Sequence, residues 1–258
     1  MLYDHGLPGA QCEWVAREDA LHRTGVRLVA LERPGFGRSD DVDRTVASWP
    51  SDVADAADRL GIERFGLVGY SCGAPFALAS ALRWPQRITG LALVSAVAPR
   101  VAPRFREGLG RTARTMIPLA RHAPWLARSL LSRARAGALR NPDKFDARFA
   151  RLVAEPDRAH LARPGVAAQY RRTFLDATDR GVAGYVREYA LWGSPWGLDL
   201  GRLGVPAVLY HGDADATIPT HHSAYLAKQL PGARLVVWPG AGHLTRPERW
   251  LDVLTALG

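Results

Sequence analysis

Short apolar runs alternate with amphipathic stretches over the outer thirds of the chain. Residues 26–31 (Val-Arg-Leu-Val-Ala-Leu) read as a strand. In 49–60, Trp49, Val53, Ala56, Ala57 and Leu60 share one face, and Asp52, Asp55 and Asp58 lie off it. That pattern predicts an amphipathic helix. Residues 64–70, 88–94, 205–210 and 234–238 are further strand candidates. The stretch 74–84 is apolar nearly all round, which predicts a buried helix, and 223–230 and 247–257 predict two more. Strands alternate with helices, and the strands are almost continuously apolar. This predicts a mostly parallel, doubly wound α/β sheet with both faces covered.

The middle of the chain is different. From residue 99 to 198 no strand is readable. Met116, Ile117, Leu119, Trp125, Leu126, Leu130 and Leu131 recur among arginines over 111–138. Pro118 and Pro124 should break that stretch into at least two helices. Residues 145–153 and 166–175 are further helical candidates, so 99–198 reads as an all-helical insertion in the sheet.

Charge sharpens this division. The net charge is +9, and of the 34 basic residues only Lys144 and Lys228 are lysines. Residues 99–198 hold 19 basic and 8 acidic residues; the rest of the chain holds 15 and 17. The insertion is thus a basic block in a near-neutral frame. An arginine-rich solvated surface accounts for it; contact with an anionic membrane surface, or attraction of acidic or amphiphilic substrates, is the alternative. No nucleic-acid motif accompanies the charge. At 258 residues the chain buries enough surface to need no disulfide or metal staple. Its two cysteines, Cys12 and Cys72, fit no zinc or redox spacing, and a reduced cytoplasmic setting is expected.

Three segments carry chemistry. Gly69-Tyr70-Ser71-Cys72-Gly73 follows a strand and opens an apolar helix, the context in which Gly-x-Ser-x-Gly lifts a serine hydroxyl above a sheet. A hydroxyl needs a base, and His243 sits in the glycine-rich loop Pro239-Gly240-Ala241-Gly242-His243-Leu244. The base needs an orienting carboxylate, and His211-Gly212-Asp213-Ala214-Asp215 supplies one after the strand 205–210. Asp215 is the candidate, with Asp213 its competitor or a turn-shaping residue. The developing oxyanion needs two backbone donors: the N–H of Cys72, and Leu7 in His5-Gly6-Leu7-Pro8-Gly9, since Pro8 has none. His5, Tyr70 and Trp196 are candidate substrate contacts. Cys12 reads as a helix-face residue, and the adjacent His221 and His222 point to different helix faces, so no metal site is expected.

With these segments in order, and with Arg33-Pro34-Gly35-Phe36-Gly37-Arg38-Ser39 as a glycine-rich turn after 26–31, the chain resembles the α/β-hydrolase superfamily over essentially its whole length. The resemblance implies a core of 1–98 and 199–258 with a helical cap at 99–198. The resemblance also implies two further strands ahead of the His5 loop, so either the true start lies upstream of Met1 or the sheet is expected to lack them. A sheet shortened there would leave an unpaired edge, which invites a homodimer. The resemblance further implies a serine hydrolase that acts on a small-molecule acyl substrate without cofactor or metal. The triad alone does not choose among esterase, lactonase, carbon–carbon hydrolase, peptidase and perhydrolase chemistry. A triad-retaining receptor or inactive scaffold is the reading from another class.

Overall fold

The computed structural model describes residues 1–10, 13, 14 and 18–257; the expectation for Cys12 lies outside them. Six strands form one sheet: β1 (Leu2–Asp4), β2 (Val29–Leu31), β3 (Phe65–Tyr70), β4 (Ile88–Val94), β5 (Ala207–Gly212) and β6 (Arg234–Trp238). They are all parallel, in the order β2-β1-β3-β4-β5-β6. Around them run α1 (Glu18–Thr24), α2 (Trp49–Arg59), α3 (Ala74–Arg83), α10 (His221–Gln229) and α11 (Pro247–Thr255).

The period of two along the strands sorts the core onto two faces. Leu2, Leu67, Leu91, Leu93 and Leu209 pack with Val53, Leu78 and Leu226 from α2, α3 and α10. Tyr3, Val68, Tyr70, Ala92, Val94 and Tyr210 pack with Ala20, Trp250, Val253 and Leu254 from α1 and α11. Helix α3 is buried from Ala74 to Ala81, as its all-round apolarity requires. It approaches closely because Gly69 has no side chain: a Cβ there would lie 2.8 Å from that of Ala77.

Between β4 and β5 the chain is helical: α4 (Arg111–His122), α5 (Pro124–Arg140), α6 (Pro142–Ala150), α7 (Glu155–Leu161), α8 (Val166–Ala177) and α9 (Ala183–Trp192). Two expectations need correction. Pro118 lies inside α4 and does not end it; the break falls at Ala123–Pro124. Arg114, whose carbonyl loses a partner at Pro118, is on the exposed side, where water can bond it. Periodicity also passed over α7 and α9, whose inward faces carry polar residues. No helix among the described residues is long and apolar enough to cross a membrane.

Candidate active site

Ser71 stands where β3 ends and a short 3-10 turn, Ser71–Gly73, leads into α3. Its φ is +52°, a left-handed conformation that costs a non-glycine residue energy and turns the hydroxyl out of the strand line. Gly73 makes the turn possible, since a Cβ there would fall 2.1 Å from the carbonyl oxygen of Asp4. The loop after β1 passes on the same side: a Cβ on Gly6 would meet the Tyr70 ring at 2.8 Å and the Ser71 Cβ at 3.4 Å. Gly6, the residue before Leu7, thus brings this loop against Ser71.

The three triad candidates meet although up to 172 residues separate them in sequence. His243 Nε2 lies 3.1 Å from Ser71 Oγ, and His243 Nδ1 lies 2.7 Å from Asp215 Oδ2. Asp215 Oδ1 accepts backbone N–H bonds from Thr217 and Ile218, both at 2.8 Å. Burial works against ionisation of Asp215, but His243 and His211 outweigh it and hold the carboxyl far below the usual range. Burial likewise opposes charge on His243. Asp215 reverses that and lifts the imidazole above its ordinary pKa, with help from Asp157 and Glu13. A carboxylate that stabilises an imidazolium is what proton transfer from a hydroxyl needs.

His211 is a member that sequence reasoning missed. Its Nε2 lies 2.8 Å from the Ile218 carbonyl and 3.2 Å from Asp215 Oδ2, so it donates towards both. Its Nδ1 accepts from Ser223 Oγ at 2.7 Å. It is Asp215, not Asp213, that lies against His243. Asp213 Oδ1 accepts from Gly240 N–H at 2.7 Å and ties the acid loop to the histidine loop. Those loops touch at Gly212, where a Cβ would sit 2.1 Å from the Ala241 carbonyl oxygen.

Two of the candidate substrate contacts pack against the loops of the site. Tyr70 stacks on His243 with ring centroids 5.6 Å apart, and its hydroxyl donates to the His243 carbonyl at 2.8 Å. It braces the base from behind. His5 is buried with its ring facing inward. Its Nε2 accepts from Arg33 N–H at 3.3 Å, which leaves Nδ1 to donate to the Gly6 carbonyl at 2.7 Å. Burial and the nearby Arg33 charge push its pKa well below normal, so the ring is neutral and folds the loop. Trp196 is buried at the return from the helical insertion, in the main core cluster. Burial pushes the Cys72 thiol pKa far up, which leaves its backbone as the useful part.

The insertion reaches this site through two buried carboxylates, neither of which the sequence singled out. Asp157 of α7 accepts N–H bonds from His243 and Leu244, both at 2.9 Å. Gly242 makes room for it: a Cβ there would lie 2.1 Å from Asp157 Oδ1. Glu188 of α9 forms a bidentate pair with Arg33, whose Nη2 also donates to the His5 carbonyl at 2.9 Å. Beside that pair Asp4 receives the Trp49 indole N–H at 2.9 Å, and burial lifts its pKa to about 7. A cleft of about 300 Å³ opens between α7–α8 and the segment after the histidine loop, lined by Glu13, His160, Arg163, Tyr170 and Thr245 among others. Ser71 is not in its wall.

A sequence profile of the alpha/beta hydrolase fold matches residues 1–248. The chain belongs to the α/β-hydrolase family. Among its relatives, the 2-hydroxymuconate semialdehyde hydrolase of Pseudomonas putida is 28% identical over 225 residues, covering 86% of this chain and 72% of that protein. A putative carbamate hydrolase, RutD, of Caulobacter sp. is 28% identical over 257 residues, covering 96% and 86%. Among solved structures of this α/β-hydrolase fold, a thermophilic esterase from Thermogutta terrifontis superposes with a TM-score of 0.72. It is 25% identical and covers 99% of this chain and 86% of its own.

Proposed function

We propose that the chain is a serine hydrolase that cleaves a carboxylic ester or related acyl bond through an acyl-enzyme. The observation that carries this reading is the continuous chain from Ser71 Oγ to His243 Nε2 at 3.1 Å and from His243 Nδ1 to Asp215 Oδ2 at 2.7 Å. Ser71 Oγ attacks the carbonyl carbon while His243 Nε2 takes its proton. Asp215 fixes the tautomer with hydrogen on Nδ1 and stabilises the imidazolium. The carbonyl oxygen, now negative, accepts bonds from the N–H groups of Cys72 and Leu7. The intermediate collapses, the carbon–oxygen bond to the leaving alcohol breaks, and His243 returns the proton to it. Water then repeats the sequence on the acyl-enzyme and releases the acid. The helical insertion serves as the cap over this site.

The test is hydrolysis of p-nitrophenyl acyl esters of graded chain length by the wild type and by Ser71→Ala. Turnover by the wild type that Ser71→Ala lowers by about 10³-fold or more supports the reading. Equal turnover by both proteins would remove Ser71 from the chemistry.

A further inference from the structure

We infer that Asp157, a residue of the helical insertion, is a positioning residue for the catalytic base: it holds the histidine loop in its working conformation, so that seating of the cap assembles the triad. The inference rests on the hydrolase reading and adds a dependence on the cap that the triad alone does not contain.

The geometry is unusual for an acidic residue on a cap. Asp157 is 1% exposed, though it lies near the start of a short helix, where acidic residues are ordinarily solvated. Its two oxygens are both spent on the backbone of the histidine loop, one on His243 and one on Leu244. Successive N–H groups turned towards one carboxylate form a small anion-binding concavity, and the anion here is supplied by another part of the chain. Gly242 is the residue that allows it, because any side chain would occupy the carboxylate's place. The bond to His243 N–H fixes the backbone of the residue whose ring must reach Ser71.

A second carboxylate of the insertion acts on the opposite wall. Glu188 holds Arg33, and Arg33 holds the His5 carbonyl of the oxyanion loop. The base and the oxyanion loop are therefore each tied to the cap, by different helices. Ser71 and His243 are 3% and 7% exposed with the cap seated. A cap that shifts to admit substrate withdraws Asp157 from the loop, and its return restores both the loop and the dry surroundings of the triad.

The charge of Asp157 also reaches the base. The groups that face His243 are Asp215 after β5, Asp157 on α7, Glu13 on the segment after the oxyanion loop, and Tyr70 at the end of β3, with His211 behind Asp215. Asp157 itself faces His243 and, farther off, Asp215; burial raises its own pKa, and the bonds from the two N–H groups oppose that. Both Asp157 and Asp215 favour the imidazolium, so removing one leaves His243 easier to deprotonate.

Asp157→Asn tests the inference, because the amide presents one acceptor to two N–H groups and carries no charge. The rate per active site, counted by burst titration, should fall between about tenfold and about a hundredfold. The loss should appear in kcat with KM little changed, and the acidic limb of the kcat/KM profile should move to lower pH. A residue that only stabilised the fold would lower Tm and the count of active sites and leave that limb in place. Wild-type kcat per site with an unmoved limb would overturn the inference. Should the variant not fold, the wild type itself answers. Its His243 and Leu244 amide NMR signals should be protected from exchange and should shift together as one buried carboxyl titrates. Rapid exchange or independent behaviour of the two amides would overturn the inference. The amide measurement needs no turnover, so a failure of the hydrolase reading is seen separately, as a wild type that hydrolyses no ester.

Discussion

Replacing Glu188 by Gln keeps the shape of the side chain and removes one charge from a pair that water does not reach. The side chains of Arg33 and Glu188 are 2% and 6% exposed. Burial raises the Glu188 carboxyl pKa even with the guanidinium beside it, so desolvation is not fully repaid by the pair. Removing one partner of such a pair typically costs about 3–5 kcal/mol, because the other charge is left buried. At about 2.1 cal/mol/K of unfolding entropy per residue, this chain loses about 0.5 kcal/mol of stability per degree near its midpoint. The expected fall in Tm is therefore about 6–9 °C. The loss should depend on pH. Asp4 also faces Arg33, and Glu188 disfavours its ionisation. Without the Glu188 charge, Asp4 ionises more readily and takes over part of the pairing above neutral pH. The Tm difference between wild type and Glu188→Gln should thus be larger at pH 6 than at pH 8, read by calorimetry. The double variant Arg33→Met/Glu188→Leu should lose less than the single one, since no charge is stranded. A single variant within about 2 °C of wild type at pH 6, or a double variant less stable than the single, would refute this reasoning.

Two further outcomes follow from the buried titrating groups. The Asp215-paired base has a raised pKa in the folded enzyme, and only its neutral form accepts the serine proton. Activity should therefore fall as pH drops through a value raised from that of an ordinary histidine; a kcat/KM profile with its acidic limb below the ordinary histidine value would contradict the assignment. Asp4 has its pKa raised from 3.8 to about 7, so the folded state binds the proton more tightly than the unfolded chain. Its contribution to stability is full below pH 3.8 and is lost as pH rises towards 7. Asp4→Asn should flatten the fall of stability across that window in denaturant titrations, and an unchanged slope would remove Asp4 as its source.

Much of this could be read from the sequence, for physical reasons that differ by region. Sheet and helices followed from periodicity, because strands buried on both faces must be continuously apolar. Residues 88–94 and 234–238 became β4 and β6 with the same bounds. The 26–31 run was longer than the three-residue β2, since only Val29–Leu31 pairs with β1. Ser71 and His243 were legible because their turns need glycine at fixed offsets, and glycine marks itself. Asp157 and Glu188 were not, because their partners lie 86 and 155 residues away. His211 stands four residues before Asp215, but that spacing does not tell that its ring turns towards the carboxylate. A signal was there to use: Tyr185, Glu188, Tyr189 and Trp192 fall at helical spacing on one face of α9. An acidic residue on an otherwise aromatic stripe asks for a buried cation, and Arg33 is that cation. Asp157, His160 and Leu161 likewise share the buried face of α7. For His5 and Tyr70 the sequence did not tell which way the side chains face. Their hydrogen bonds show that both face the loops they support.

In the proposed mechanism Ser71 is a nucleophile activated by His243 and Asp215. The most direct measurement is labelling with a fluorophosphonate, which reacts with an activated serine and needs no substrate specificity, read by intact mass and peptide mapping. One adduct per wild-type chain, mapped to Ser71, is the expected result. Ser71→Ala should take no adduct, and labelling of His243→Ala should be slowed by about 10³-fold or more. A folded wild type that takes no label, or a Ser71→Ala variant that labels as fast as the wild type, would contradict that mechanism.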